Sequence, residues 1–208
     1  PRRALSRHAA VAGPGGRIDA LPPPEAAHHA MCRTTPFLLV ALAVLLPACS
    51  LKTTAVNKIG DALAETGSNF ASDEDPELVG GAIPFGLKTM EGLLETSPKH
   101  RGLLLAASSG FVQYAYGWVQ LEGDMTESRD LARATELRER ARKLYLRARG
   151  YGLRGLELRN RGIGDQLRLD PVRAAARIQK RDLPMLYWTA AAWGSAISLG
   201  KDRPELLA

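Results

Sequence analysis

Catalysis and tight ligand binding need nucleophiles, bases, metal ligands or aromatic platforms at workable spacing, and this chain offers few of the first three. Its only thiols are Cys32 and Cys49, and no CxxC spacing points to zinc or a dithiol redox site. Beyond residue 49 the only histidine is His100, in the first turn of a predicted helix. It has no HExxH companion, no cysteine and no serine elbow, so it reads as a solvated surface residue and not as a base. No Walker A, GxGxxG or GxSxG pattern occurs, and "RGIG" at 161–164 reads as a turn. Asp73-Glu74-Asp75 lacks the spaced ligands of a calcium loop and fits an acidic helix start better. No cofactor, metal site or catalytic residue is expected.

Aromatics are the richer signal. Tyr114, Tyr116 and Trp118 crowd one predicted helix, and Tyr187, Trp188 and Trp193 crowd another. Residues three or four apart share a helix face, and small neighbours leave room beside the rings. Core packing is one reading. The other is that Tyr114, Trp118, Tyr187, Trp188 and Trp193 line a groove for an apolar or amphipathic ligand.

The stretch "LLPACS" at 45–50 closes an apolar run and contains Cys49. Upstream lie Met31, Arg33 and an apolar run from Phe37 to Leu46. Ten helical residues span about 15 Å, half a bilayer core, which suits the h-region of a signal peptide better than a membrane anchor. Leu46, Pro47, Ala48 and Cys49 resemble a bacterial lipoprotein signal, with cleavage after Ala48 and lipid attached to Cys49. An ordinary cleaved signal with an incidental cysteine is the alternative. By the same resemblance, Ser50 argues for the outer membrane over the inner one in a two-membrane bacterium. Residues 1–30 are rich in Pro, Gly and Ala with no periodic apolar face, and read as disordered or as untranslated sequence ahead of Met31. The expected organisation is therefore 1–30 upstream, 31–48 signal, and 49–208 a single helical domain.

The formal charge of +6 divides evenly, +3 before residue 49 and +3 after it, which is too mild for a phosphate-binding face. The Arg-rich stretch 129–161 carries Glu136 four before Arg140 and Glu139 four before Lys143, a favourable helix pairing. Ala134, Leu137, Ala141, Leu144, Ala148 and Tyr151 form its apolar stripe. A solvated amphipathic helix explains this segment, and no nucleic acid partner is expected.

The mature chain is predicted to be all-α, with helices near 53–65, 76–96, 98–122, 127–158, 171–179 and 183–199. Asp75-Pro76 and Ser97-Pro98 supply N-caps with proline at the first helical position, Asp182 precedes Leu183-Pro184 similarly, and Pro84 should kink its helix. A tetratricopeptide pattern of small residues and aromatics fits Val56, Ile59, Gly60 and Leu63, then Gly86, Met90, Leu93 and Pro98. It fits again at Ala141, Tyr145 and Ala148, and at Ala190, Trp193, Gly194 and Ile197. An array of antiparallel helix pairs is preferred to a generic bundle. "DRPELLA" at 202–208 resembles the opening "DPEL" at 75–78, so the array reads as C-terminally truncated.

The segments "FASDEDPELVGGAIPFGLKTMEGLLETSPKHRGLLLAASSGFVQYAYGWVQLEGD", "RARKLYLRARGYGLRGLE" and "LPMLYWTAAAWGSAISLGKD" together resemble the T component of tripartite ATP-independent periplasmic (TRAP) transporters, the TatT family, from about Asn57 onward. The resemblance implies a non-enzymatic periplasmic lipoprotein with a tetratricopeptide-like fold. It also implies association with the solute-binding (P) component and help in taking up a ligand, a hydrophobic one included. Membrane contact would run through the lipidated cysteine, with self-association left open. A stand-alone lipid or small-molecule carrier, and an envelope scaffold, are the alternatives.

Overall fold

The computed structural model describes residues 52–65 and 72–201. Cys32, Cys49, the segments 1–30 and 31–48, and "DRPELLA" lie outside them. Among the described residues every regular element is helical, as the absence of period-two patterning requires.

Helix α1 covers 52–65. Helix α2, Pro76–Thr96, begins where Asp75-Pro76 indicates: Asp75 Oδ1 accepts the N–H groups of Glu77 and Leu78 at 3.1 and 3.0 Å. Asp73 Oδ1 accepts the Asp75 N–H at 2.9 Å, so the acidic run serves the helix start. Helix α3, Arg101–Tyr114, begins later than Ser97-Pro98 indicates. Ser97 ends α2 instead, its N–H bonding Leu93 O and its hydroxyl donating to Asn57 Oδ1 of α1 at 2.7 Å.

His100 takes the cap of α3, Nδ1 accepting the Leu103 N–H at 3.1 Å. Its side chain is only 8% exposed, with Nε2 3.1 Å from Asn57 O, so it is not the solvated residue the sequence implied. The cause is α1, which docks over it and brings Gly60 against Leu103.

The continuous helix expected over 98–122 widens into a π-helical turn at Ala115–Gln120 and resumes as α4, Leu121–Thr126. Helix α5, Leu131–Glu157, is capped by Asp130, which accepts the Arg133 N–H at 2.9 Å. The "RGIG" turn is only half a turn: Gly162 adopts φ 72°, and α6, Ile163–Leu169, follows at once. Helix α7 is Pro171–Ala176, capped by Asp170; a 3₁₀ turn at Lys180–Asp182 leads into α8, Leu183–Ser198. Asp182 makes no side-chain cap for α8.

Helix α3 is the most enclosed element, burying Leu103, Leu104, Ala107, Ser108, Phe111 and Val112 between α2 on one side and α5 with α8 on the other. Short connections make sequential neighbours antiparallel. Accordingly Leu87 meets Gly110 while Gly80 meets Trp118; α5 and α8, though not consecutive, also run antiparallel, Gly152 meeting Thr189 while Gly155 meets Met185. Ala141, Tyr145 and Ala148 are fully buried on α5, along with Ala134 and Leu137, whereas Leu144 and Tyr151 are half-buried. Each fully buried leucine contributes about 1.5–3 kcal/mol relative to exposure.

The repeat register fails at its other glycines. Gly86 and Gly194 have open space where a Cβ would sit, and Ala190 is exposed. Helix α8 instead buries Met185, Thr189, Ala192 and Ala196, and the close approach falls on Gly152 and Gly155 of α5. Of the expected ion pairs on α5, Glu139 holds Arg142 at 2.7 Å and Lys143 at 3.9 Å. Glu136 turns to Arg133 at 3.2 Å, not to Arg140.

Candidate functional site

An apolar groove lies between α2 and α3. Val79, Ile83, Leu87 and Met90 fall on one stripe of α2, and Ala106, Ser109, Gly110 and Gln113 on the facing stripe of α3. Gly86 leaves space open, whereas Leu87 closes against Gly110, and Ala106 and Ala64 of α1 also line the groove. The groove holds about 100 Å³, below the several hundred cubic ångströms of a pocket for a whole drug-sized molecule. It suits a short alkyl or aromatic portion of a larger ligand.

Trp118 borders this groove because two local features put it there. The π-helical turn carries its indole across to α2, and Gly80 has no side chain to obstruct it; a Cβ there would overlap Trp118 Nε1. The indole N–H donates to Pro76 O at 3.2 Å. Tyr114 stacks on Trp118 with centroids 6.2 Å apart and planes at 15°. Above Tyr114 lies Arg140, 5.8 Å from the ring centroid and donating to the phenol oxygen at 3.2 Å.

The α8 aromatics are elsewhere. Tyr187 and Trp188 meet edge to face at 5.0 Å, Tyr187 largely exposed, and Trp193 lies under Arg149 at 4.8 Å. None of the three lines the groove. The five aromatics therefore form two separate sets, and only Trp118 touches the groove. The aliphatic liners of α2 were overlooked, although their i, i+4, i+8 spacing is plain in the sequence.

Two buried carboxylates organise the polar side. Glu91, 8% exposed, accepts from Lys88 Nζ at 2.7 Å, Arg147 Nη2 at 2.8 Å and the Tyr151 hydroxyl at 2.6 Å. Burial alone would raise its carboxyl, but the bonds from Lys88 and Tyr151 and the charges of Arg147 and Lys88 together hold it below the usual value. Burial, with Glu91 as acceptor, pushes the Tyr151 phenol up. Asp182 is paired with Arg101 and, at 3.3 Å, with Arg159. The Tyr145 phenol, buried and donating to Gln120 Oε1 at 2.7 Å, is pushed up to about 12, chiefly by burial.

Glu91 and Asp182 are each held by two cations, which suits positioning better than proton transfer. Among the described residues no three His, Cys, Asp or Glu side chains converge as a metal site.

A model of the TRAP transporter T-component family matches residues 72–208. An "Uncharacterized protein" of Treponema pallidum (strain Nichols) is 31% identical over 179 residues, covering 76% of this chain and 55% of that protein. The chain thus spans about half the length of that relative.

Proposed function

The chain belongs to the TRAP transporter T-component family, and from that premise we propose that it is a non-enzymatic lipoprotein accessory of TRAP-type solute uptake. In this reading Cys49 carries the lipid, residues 49–208 form the helical array, and the array docks the solute-binding component at the periplasmic side of the cell envelope. The family match over 72–208 is the observation that carries the proposal. The lipoprotein-like stretch Leu46–Cys49 supports the anchor, since several acyl chains hold a protein stably where one is marginal. Ser50 favours the outer membrane. No helix among the described residues is long and apolar enough to cross a membrane.

The test is capture of the TRAP solute-binding component by the full-length protein, alongside fatty-acid labelling of wild type and Cys49→Ser. Capture, and labelling lost in Cys49→Ser, are expected. Absence of capture overturns the adaptor role, and labelling that survives in Cys49→Ser overturns the anchor.

The groove favours a second reading, a carrier that takes an apolar ligand without a partner. Native mass spectrometry of gently purified protein separates the two: a carrier retains ligand alone, whereas an adaptor is empty until the solute-binding component is added.

A further inference from the structure

Four arginines of α5 recur at seven-residue intervals, Arg133, Arg140, Arg147 and Arg154. Arg133 is paired with Glu136 at 3.2 Å and Glu122 at 4.0 Å, and the other three form a row. Seven helical residues advance about 10.5 Å and return to nearly the same face. Each guanidinium of the row lies over an aromatic ring: Arg140 is 5.8 Å from Tyr114, Arg147 5.1 Å from Phe111, and Arg154 5.4 Å from Tyr151. A further bond pins each one, to the Tyr114 hydroxyl, to Glu91 and to Pro98 O respectively.

The row is short of negative charge. Only Arg147 has a carboxylate, and Glu91 is already shared with Lys88 and Tyr151. Arg140 and Arg154 have no carboxylate partner among the described residues. Both are exposed and Arg147 is 46% exposed, whereas the neighbouring Lys88 and Lys143 are paired with Glu91 and Glu139. A guanidinium held flat on a ring keeps its N–H edge available for a planar carboxylate and has little rotamer freedom left to lose. Packing α3 to α5 requires neither the constant interval nor two unpaired cations.

We propose that this row is a docking ridge for an acidic helix of a protein partner whose carboxylates repeat every seven residues. A helix laid along α5 would present them at the same spacing of about 10.5 Å. An anionic bilayer fits less well. It offers charge over a plane, whereas these cations form one line with the exposed carboxylate Glu136 four residues before its first member. The proposal deepens the adaptor reading, on which it rests only for the identity of the partner.

The experiment titrates the full-length protein with two synthetic helical peptides of equal composition. One carries glutamates at seven-residue spacing on one face, and the other scatters them around the helix. The aligned peptide is expected to bind at least tenfold more tightly, with affinity falling as salt rises. Arg140→Gln with Arg154→Gln should weaken it at least tenfold while the melting temperature stays near wild type. Should that pair unfold the protein, Arg140→Lys with Arg154→Lys keeps the charge without the fork, and a loss of about threefold is expected.

Equal binding of the two peptides, or none, overturns the ridge. So does an Arg-dependent association with phosphatidylglycerol vesicles that the peptides do not reproduce. If the glutamine pair still captures the solute-binding component normally, the ridge is wrong and the adaptor reading stands. If the aligned peptide binds but no solute-binding component is captured, the adaptor reading fails and the ridge stands.

Discussion

Gly152 shows how tightly single residues are held where α3, α5 and α8 meet. A Cβ there would overlap Thr189 Oγ1 and come within 3.0 Å of both Ser108 Oγ and Thr189 Cβ. At Gly155 the obstacle is the flexible end of Met185, which can swing aside, and at Gly150 there is open space. Alanine should therefore destabilise strongly at 152, by about 2–3 kcal/mol, and less at 155. At 150 it should stabilise by up to about 1 kcal/mol. Urea denaturation of the three variants checks the order, and equal effects at 152 and 150 would refute it. Glu91 is the matching polar case. Its carboxyl is held below the ordinary value of 4.5, so the folded state binds that proton less readily than the unfolded chain. The stabilisation is present above that value and is lost as pH falls through the lower folded value. Glu91→Gln should be less stable than wild type at pH 7 by about 1–3 kcal/mol. The gap should narrow on acidification below pH 4.5, as stability curves at stepped pH will show.

At the scale of elements, legibility followed the range of the interaction that fixes each boundary. Asp75-Pro76 capped α2 as read, because that cap is contained within four residues. Ser97-Pro98 carried the same local signature and misled, since Ser97 is claimed by Asn57, 40 positions away. The start of α6 was missed for a similar reason: Gly162 and Gly164 donate at 2.8 and 2.9 Å to Glu157, which lies in the preceding helix. The π-helical turn has no local sequence mark, yet it places Trp118 against α2. His100 joins both ranges, capping α3 through Nδ1 and meeting α1 through Nε2. His100→Ala should lose about 1 kcal/mol or more. His100→Asn, which restores a cap acceptor, should recover part of it, read as a shift in melting temperature. Equal losses in the two variants would assign the role of His100 to the α1 contact alone.

Across the whole molecule, the all-α architecture and the solvated arginine helix were readable because helix periodicity and caps are local. The sequence names the aromatics but not their grouping: only Trp118 reaches the groove, and the α8 aromatics Tyr187 and Trp188 pack on each other away from it. Asp182 illustrates what sequence conceals. Its place before Leu183-Pro184 reads as a cap, yet the carboxylate, 2% exposed, binds Arg101 at the start of α3 and Arg159 just beyond α5. It thereby fastens the start of α8 to two helices from which it is 81 and 23 residues distant. Burial lowers the Arg101 pKa; the Asp182 charge opposes that shift, while Arg159 and Arg181 add to it. Removing the one negative charge would leave cations crowded in a partly desolvated site, and breaking a buried pair this way typically costs about 3–5 kcal/mol. Asp182→Asn, which keeps an acceptor, should lose about 3 kcal/mol in urea denaturation with an unchanged m-value. Adding Arg101→Gln should recover part of that loss by removing one uncompensated cation, a positive coupling that a double-mutant cycle reads directly. A loss below about 1 kcal/mol, or strictly additive variants, would mean that apolar packing on α5 alone holds α8 in place.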